Sequence, residues 1–361
     1  MNILRRLPLP RLLLLCALVV AIGISITAIA LALGGGQKPP PKPLAQAVHD
    51  ALEAPPVEGL SASITLTNHL LEGANLAGEH GSGITSNPLI AGASGRLWIA
   101  KDGRARLELD NEKGDTNIVW DGTSVSIYDA AENTVYKYTP KQQSPAGAGS
   151  EHEHGETPSV AKIEEGIAKL RKHAGVSEAA PANVGGQPAY TVRISPQEGG
   201  SLIGGGELSF DANTGVPLRA AVYSSASSAP VIELAADEVS YGAVSDSVFQ
   251  LSPPPGSKVK TIELEQPEHH SGSSSSSHEA PEVTTHGSGI TGVEVLRAKE
   301  GSGSSASSLE SLPKVKLPNG VSASELRTAL GTVLTFERAG VRYVVAGALD
   351  PAAVEAVAGS L

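Results

Sequence analysis

Three groups of residues have the types and spacing that chemistry would need. His152, Glu153 and His154, with His269, His270, His278 and His286 further along, could supply imidazoles to a metal ion. Ligating imidazoles have to be oriented by rigid outer contacts, and these sit in polar, Gly- and Ser-rich stretches, so no metal site is expected. Ser159-Val160-Ala161-Lys162 has the serine–lysine spacing that activates a hydroxyl nucleophile, and it opens a helical stretch. No Lys-Thr-Gly strand accompanies it, and the large helical domain of penicillin-recognising enzymes has no counterpart. Gly287-Ser288-Gly289-Ile290-Thr291-Gly292 spells a dinucleotide-binding pattern, but a strand reading follows it. A pyrophosphate would have no helix N-terminus to sit on. His49, His69 and His173 read as surface residues near element ends. No nucleophile, base and acid converge. The sequence predicts no catalysis, no metal and no cofactor.

The elements that would position any site begin with an anchor. Residues 12–33 carry no charge and follow Arg5, Arg6 and Arg11. At helical rise they span roughly 33 Å, enough to cross a bilayer core of about 30 Å. The arginines predict that residues 1–11 stay cytoplasmic and that everything after the span is extracytoplasmic, in a single-pass protein of the cell membrane. Ala28-Ile29-Ala30 and Ala30-Leu31-Ala32 resemble signal-cleavage sites, yet the apolar run exceeds the 7–15 residues of a usual signal core. A retained anchor is the expectation. Cys16, the only cysteine, lies inside the run, so the exported part holds no disulfide and must rest on core packing. Leu13-Leu14-Leu15-Cys16 echoes a lipoprotein box, but the membrane run continues past it where a mature lipoprotein would begin.

The net charge of −11 argues against nucleic acid, which needs a basic footprint, and against broad adhesion to an anionic membrane surface. Aromatics make up only 3% of the chain, so Leu, Ile, Val and Ala must build the core.

Residues 34–43, with Gly34-Gly35-Gly36 and then Pro39-Pro40-Pro41, read as a linker. Leu44, Val48 and Leu52 share one face of a short helix. Between about residues 60 and 139 the pattern alternates, as in Ser61 to Thr67 and Arg104 to Leu109, and predicts an antiparallel meander. Ala105, Leu107 and Leu109 should face inward and Arg104, Arg106 and Glu108 water. Asp102-Gly103 and Asp121-Gly122 supply hairpin turns. Thr157-Pro158 reads as the N-cap and first position of a helix over 158–173, with Val160, Ile163, Ile167 and Leu170 in one stripe. Strands resume at Tyr190–Ile194, Glu207–Phe210, Leu218–Val222 and Val231–Leu234, and Pro253-Pro254-Pro255-Gly256 marks an end. Residues 265–288 read as a disordered Ser/His-rich insert, and 301–308 as a second serine-rich one. In the C-terminal extension, 289–361, Ile290 to Leu296 reads as a strand. Ser322-Ala323-Ser324-Glu325 reads as a capping box that opens a helix. A hairpin turns at Ala339-Gly340, and a last helix starts at Asp350-Pro351.

The segment from about Leu60 to Lys260 resembles the LolA-like superfamily, which includes the lipoprotein carrier LolA, the sigma-E regulators RseB/MucB and the mycobacterial lipid carriers. The resemblance lies in Gly95-Arg96-Leu97-Trp98-Ile99, Arg104 to Glu108, Ile118-Val119-Trp120-Asp121-Gly122, Val125 to Asp129 and Val135-Tyr136-Lys137-Tyr138. It continues in Gly186-Gln187-Pro188-Ala189-Tyr190, Asp211 to Arg219 and Phe249 to Gly256. It implies an α+β, mainly antiparallel fold over 44–264: a strongly curved, unclosed half-barrel sheet with helices over its concave face. It also implies an apolar cavity for lipid or lipoprotein acyl chains. The candidate lining is Leu97, Ile99, Leu107, Leu109, Val125, Ile127, Ile163, Ile167 and Leu170, although the same residues would equally serve as a dry, filled core. On the cavity reading, a bulky or charged residue at Leu109 displaces cargo. The extension at 289–361 is placed like the tails of RseB-type proteins. An anchored carrier, a regulatory sensor with an envelope protein partner, and a structural surface module all remain open.

Overall fold

A computed structural model of the chain describes residues 38–72, 88–112, 114–130, 132–140, 157–262, 282–299 and 312–361. The expected anchor at 12–33, residues 144–156 of the polar loop, residues 265–281 and the insert at 301–308 lie outside the described residues. No described helix is long and apolar enough to cross a membrane.

Alternating side chains over short spans, punctuated by glycine turns, give strands. After α1 (Leu44–Glu53) come β1 (Gly59–Asn68), a single-turn α2 (Pro88–Ala91), β2 (Ala93–Ala100) and β3 (Ala105–Asn111). The meander goes on through β4 (Gly114–Trp120), β5 (Val125–Asp129) and β6 (Thr134–Tyr138). Gly103 takes φ +85° at the β2–β3 turn, a conformation that side chains with a Cβ rarely adopt. Next come α3 (Val160–Leu170), β7 (Ala174–Val176), β8 (Ala180–Val184) and β9 (Gln187–Pro196). They are followed by β10 (Ile203–Asp211), β11 (Pro217–Ser224), β12 (Pro230–Tyr241) and β13 (Lys258–Thr261).

These thirteen strands make one sheet in the order β13-β6-β5-β4-β3-β2-β1-β12-β11-β10-β9-β7, with β8 also paired to β9. The sheet is unclosed, its two ends being β13 and β7. Only β13, against β6, is parallel among the described pairings. β1 holds the sheet together: it pairs with β2 on one side and with β12 on the other, joining the two meanders.

The remaining strands form a separate six-stranded sheet. They are β14 (Glu282–His286), β15 (Val293–Lys299), β16 (Lys314–Lys316), β17 (Ser322–Thr328), β18 (Gly331–Arg338) and β19 (Val341–Gly347). α4 (Pro351–Ser360) covers one face, and Val295, Leu334, Val345 and Val354 are all fully buried there. Ala339 and Gly340, at φ 54° and 71°, make the tight turn expected between β18 and β19. The Asp350 side chain accepts from Ala353 N at 3.1 Å and caps α4, as Asp350-Pro351 predicts. The two sheets meet through main-chain bonds, Leu202 N to Ala348 O (2.8 Å) and Ala329 N to Leu70 O (3.0 Å).

Four expectations need correction. Ser322-Ala323-Ser324-Glu325 opens no helix: it begins β17, sandwiched between β16 and β18, so sheet pairing overrides a local helix signal. Residues 282–286, placed in the insert 265–288, form β14 on the edge of the tail sheet. The N-cap of α3 is Ser159, not Thr157, and the helix stops at Leu170. Arg106 and Glu108 do not face open water, since their side chains are 19% and 28% exposed. The segment after β12 crosses that face. Arg106 donates to Val248 O at 2.9 Å, and Phe249 packs with Ala100, Val119 and Trp98.

Candidate functional site

Each strand of the large sheet presents alternate residues to one face, and pairing register aligns them into rows. One row runs Tyr138, Val125, Trp120, Ala105, Ile99, Leu60 and Tyr241, from β6 to β12. The next runs Tyr136, Ile127, Ile118, Leu107, Leu97, Ala62 and Val239. On the far side of β1 the same face continues through Leu66, Leu234, Ala220, Leu208 and Val192. Every residue of these rows is apolar or aromatic. Ile99, Leu60, Ala62 and Val239 are buried at its centre, whereas Leu97, Leu107, Ile118, Val125 and Ile127 are half-buried. Leu208 and Ile194, on neighbouring strands β10 and β9, are 44% and 43% exposed.

Six of the nine predicted lining residues therefore share this face: Leu97, Ile99, Leu107, Leu109, Val125 and Ile127. Leu109 is 0% exposed and belongs to the central packed cluster. Ile163, Ile167 and Leu170 lie elsewhere, on α3. Ile167 packs with Leu44, Tyr190 and Phe210, so α1 and α3 cover the β9–β10 end of the sheet rather than β2–β5. No α3 residue is fully buried, and Leu170 is 41% exposed. The stripe is an apolar face, as its spacing predicts, but what it covers is mainly α1. Two shallow hollows, about 250 and 450 Å³, lie at the β2–β3 turn and the β9–β10 loop, and none of the nine residues lines them.

Sequence reasoning missed Leu208, Ile194, Val192 and Ile118. Their alternation is visible in the chain, but which strands lie side by side is not. On the apolar face Thr116 Oγ1 is buried, in a residue 1% exposed, and has no hydrogen-bond partner among the described residues.

The opposite face carries charge. Arg219 bridges Glu207 (2.8 Å) and Glu233 (3.0 Å), Arg193 reaches Glu207 at 3.0 Å, and the Tyr223 hydroxyl donates to Glu207 at 2.7 Å. Burial alone would raise the Glu207 carboxyl, but bonds from Arg219, Tyr223 and Arg193 outweigh it and hold it below the usual glutamate range. The network ties β9 to β12 together.

The residues that could have done chemistry are placed otherwise. Ser159 Oγ accepts from Lys162 N at 3.4 Å, so it is spent as the cap of α3. Gly289–Thr291 is a short 3-10 turn leading into β15, a strand as expected. His286 is exposed on β14. His152, His154, His269, His270 and His278 lie outside the described residues. His49 is more than a surface residue: its Nδ1 lies 3.0 Å from Pro158 O, joining α1 to the start of α3. Among the described residues no group of three or more His, Cys, Asp or Glu side chains could hold a metal.

No protein-family model and no curated protein match the chain. Solved structures do. The structure of MucB in complex with MucA(peri) matches at 15% identity and a TM-score of 0.41, covering 87% of this chain and 94% of that one. The Pseudomonas aeruginosa MucA/MucB complex matches at 14% identity and 0.41, over 87% and 96%. An uncharacterised conserved protein from Thermus thermophilus matches at 9% identity and 0.35, over 60% and 98%.

Proposed function

We propose that this protein is a membrane-anchored, extracytoplasmic LolA-like protein that binds lipid or lipoprotein acyl chains against the apolar face of its large sheet, for carriage or sorting. The carrying observation is one face of the sheet that is apolar in both halves, in the rows of Val125 and Ile127 through Leu97 and Leu107 to Val239 and in the row from Leu66 to Leu208, and half-buried over much of its extent. Adjacent strands rotate by about 20–25°, so a thirteen-stranded sheet curls, and on this reading the apolar face is the inner one. Each methylene taken out of water there contributes about 0.8 kcal/mol, so a long acyl chain is held with no covalent step. Residues 12–33 keep the protein at the membrane, and the cargo changes hands within reach of that anchor. The test is mass spectrometry of lipids extracted from the full-length protein, purified from its native envelope and washed free of detergent. A stoichiometric acylated species is expected; an empty protein refutes the reading.

A second reading is an RseB/MucB-like sensor with a protein partner in envelope signalling. The tail favours it, as a six-stranded sheet with its own core and few bonds to the large sheet. Pull-down from native membranes should recover a stoichiometric partner, and recovery of none ends this alternative.

A further inference from the structure

The linker between anchor and body is shorter than its proline and glycine content suggests, because its second half is docked. Pro39 is buried, and Pro40 O accepts from the Tyr190 hydroxyl at 2.6 Å. Lys42 pairs with Asp50 at 2.5 Å, and Leu44 is 5% exposed. Tyr190 stands on β9, so the chain is fastened to the sheet by residue 39. Only residues 34–37 separate Leu33, the end of the apolar run, from Lys38. Five residue steps reach about 18 Å at most, fully extended. Lys38 cannot be further than that from the end of the membrane span, and Pro40, on Tyr190, follows two residues later.

The surroundings form one corner of the protein. Glu178 binds Arg171 at 2.5 Å and accepts from Leu44 N at 3.4 Å, which places the turn after α3 beside the start of α1. That corner presents Lys38, Lys169, Leu170, Arg171, Lys172 and His173 on its exposed side. Lys169 and Arg171 are paired to Glu165 and Glu178, while Lys38 and Lys172 make no ion pair among the described residues. Exposed Leu170 sits among them, an apolar side chain with cationic residues on both sides. In a chain of net charge −11 this is a locally cationic, partly apolar surface, and it lies where the tether leaves little slack.

The geometry points to this corner, the last turn of α3 with the start of α1, as the surface that rests on the lipid headgroups of the membrane holding residues 12–33. The inference rests on the anchored reading above. Its consequence is directional. Val176 of β7, directly after this corner, pairs with Ile194, so exposed Ile194 and Leu208 open the apolar face on the membrane side. The tail joins the large sheet at Leu202, in the β9–β10 loop whose Gln197 donates to Arg171 O of this corner, and its hairpin at 337–340 lies at the end of β18 and β19 away from that junction. Cargo would then enter from the protein's own bilayer, without crossing water.

The test uses the full-length protein with Cys16→Ser and one added cysteine, Lys172→Cys or Glu337→Cys, carrying a donor dye. Each is reconstituted into vesicles of phosphatidylethanolamine and phosphatidylglycerol containing a trace of acceptor-labelled lipid. Energy transfer from position 172 should exceed that from 337 at least threefold. Inserting ten Gly/Ser residues between Gly36 and Gln37 should lower the 172 signal and leave the 337 signal low. Equal or reversed transfer in protein that floats with the vesicles overturns the inference and spares the anchor. Protein that fails to float after alkaline carbonate washing overturns the anchor reading and the inference with it.

Discussion

Leu109 and Leu107 are two residues apart on β3, face the same way, and should respond differently to truncation. Leu109 is 0% exposed, and its cross-strand neighbours are Gly95 and Thr116, too small to fill the space that Leu109→Ala would leave. Backbone pairing on both sides prevents collapse, so the cost should fall at about 3–4 kcal/mol, within the range of buried leucine truncations. Leu107 is half-buried between Leu97 and Ile118. Truncating it removes less packed surface, about 1–2 kcal/mol. With a urea dependence of about 2 kcal/mol per molar, the midpoints should move by roughly 1.5–2 M and 0.5–1 M. The assay is intrinsic fluorescence of the full-length protein in mild detergent. Both tryptophans of the chain, Trp98 and Trp120, lie on β2 and β4, so the signal reports the large sheet and not the tail. Substitution at Leu109 is therefore a stability probe, and the cargo probe is Leu107→Trp, which should cut co-purifying lipid while the protein stays folded. Equal destabilisation by Leu107→Ala and Leu109→Ala would refute the reasoning, for the face would then be a closed core.

Three further outcomes follow from single contacts. Asp211 is 0% exposed and accepts from Asn213 N, Thr214 N and the Tyr241 hydroxyl (2.6 Å); Tyr241→Phe leaves that carboxylate one donor short and should cost about 1–3 kcal/mol by urea unfolding. Thr116→Val removes a buried hydroxyl that no described group satisfies, and should raise the urea midpoint of the large sheet rather than lower it. In the tail, Glu325 lies in the fully buried row with Leu334 and Val345. One of its oxygens is held by Arg327 at 2.7 Å, and the other has no donor among the described residues. Glu355 on α4 faces it, and burial and the Glu325 charge raise the Glu355 carboxyl above its ordinary value, against a smaller opposing effect of Arg327. A carboxyl raised on folding stabilises the fold below its unfolded value, and that stability is lost as pH rises through the raised folded value. Hydrogen exchange in β17 and α4 should accordingly speed up across that rise, and Glu355→Gln should flatten the dependence and slow exchange at neutral pH.

Much of this architecture is local and legible in the chain. The alternation in Arg104 to Leu109, the glycine at 103, the Ala339-Gly340 turn and the Asp350-Pro351 start each depend on a few neighbouring residues, and backbone sterics enforce them wherever they occur. Two local signals mislead. Ser322-Ala323-Ser324-Glu325 has capping-box spacing, but partners on both sides, β16 and β18, make a strand the better use of its backbone groups. The stripe of α3 declares an apolar face without naming what meets it, and Leu44, Tyr190 and Phe210 come from distant parts of the chain.

Apolar and polar positions within each strand can be read from the chain alone, because side-chain period is a property of one strand. Which strands lie side by side is settled only when the whole sheet assembles. β1 and β12 are separated by more than 160 residues, yet their pairing sets the apolar side of the first meander and that of the second on the same face of one sheet. That pairing brings separate apolar faces to one side of a single sheet, and the Tyr190 hydroxyl of the same sheet holds the proline-rich linker at Pro40. No residue states such an adjacency, because it is fixed by the pairing of all the strands together.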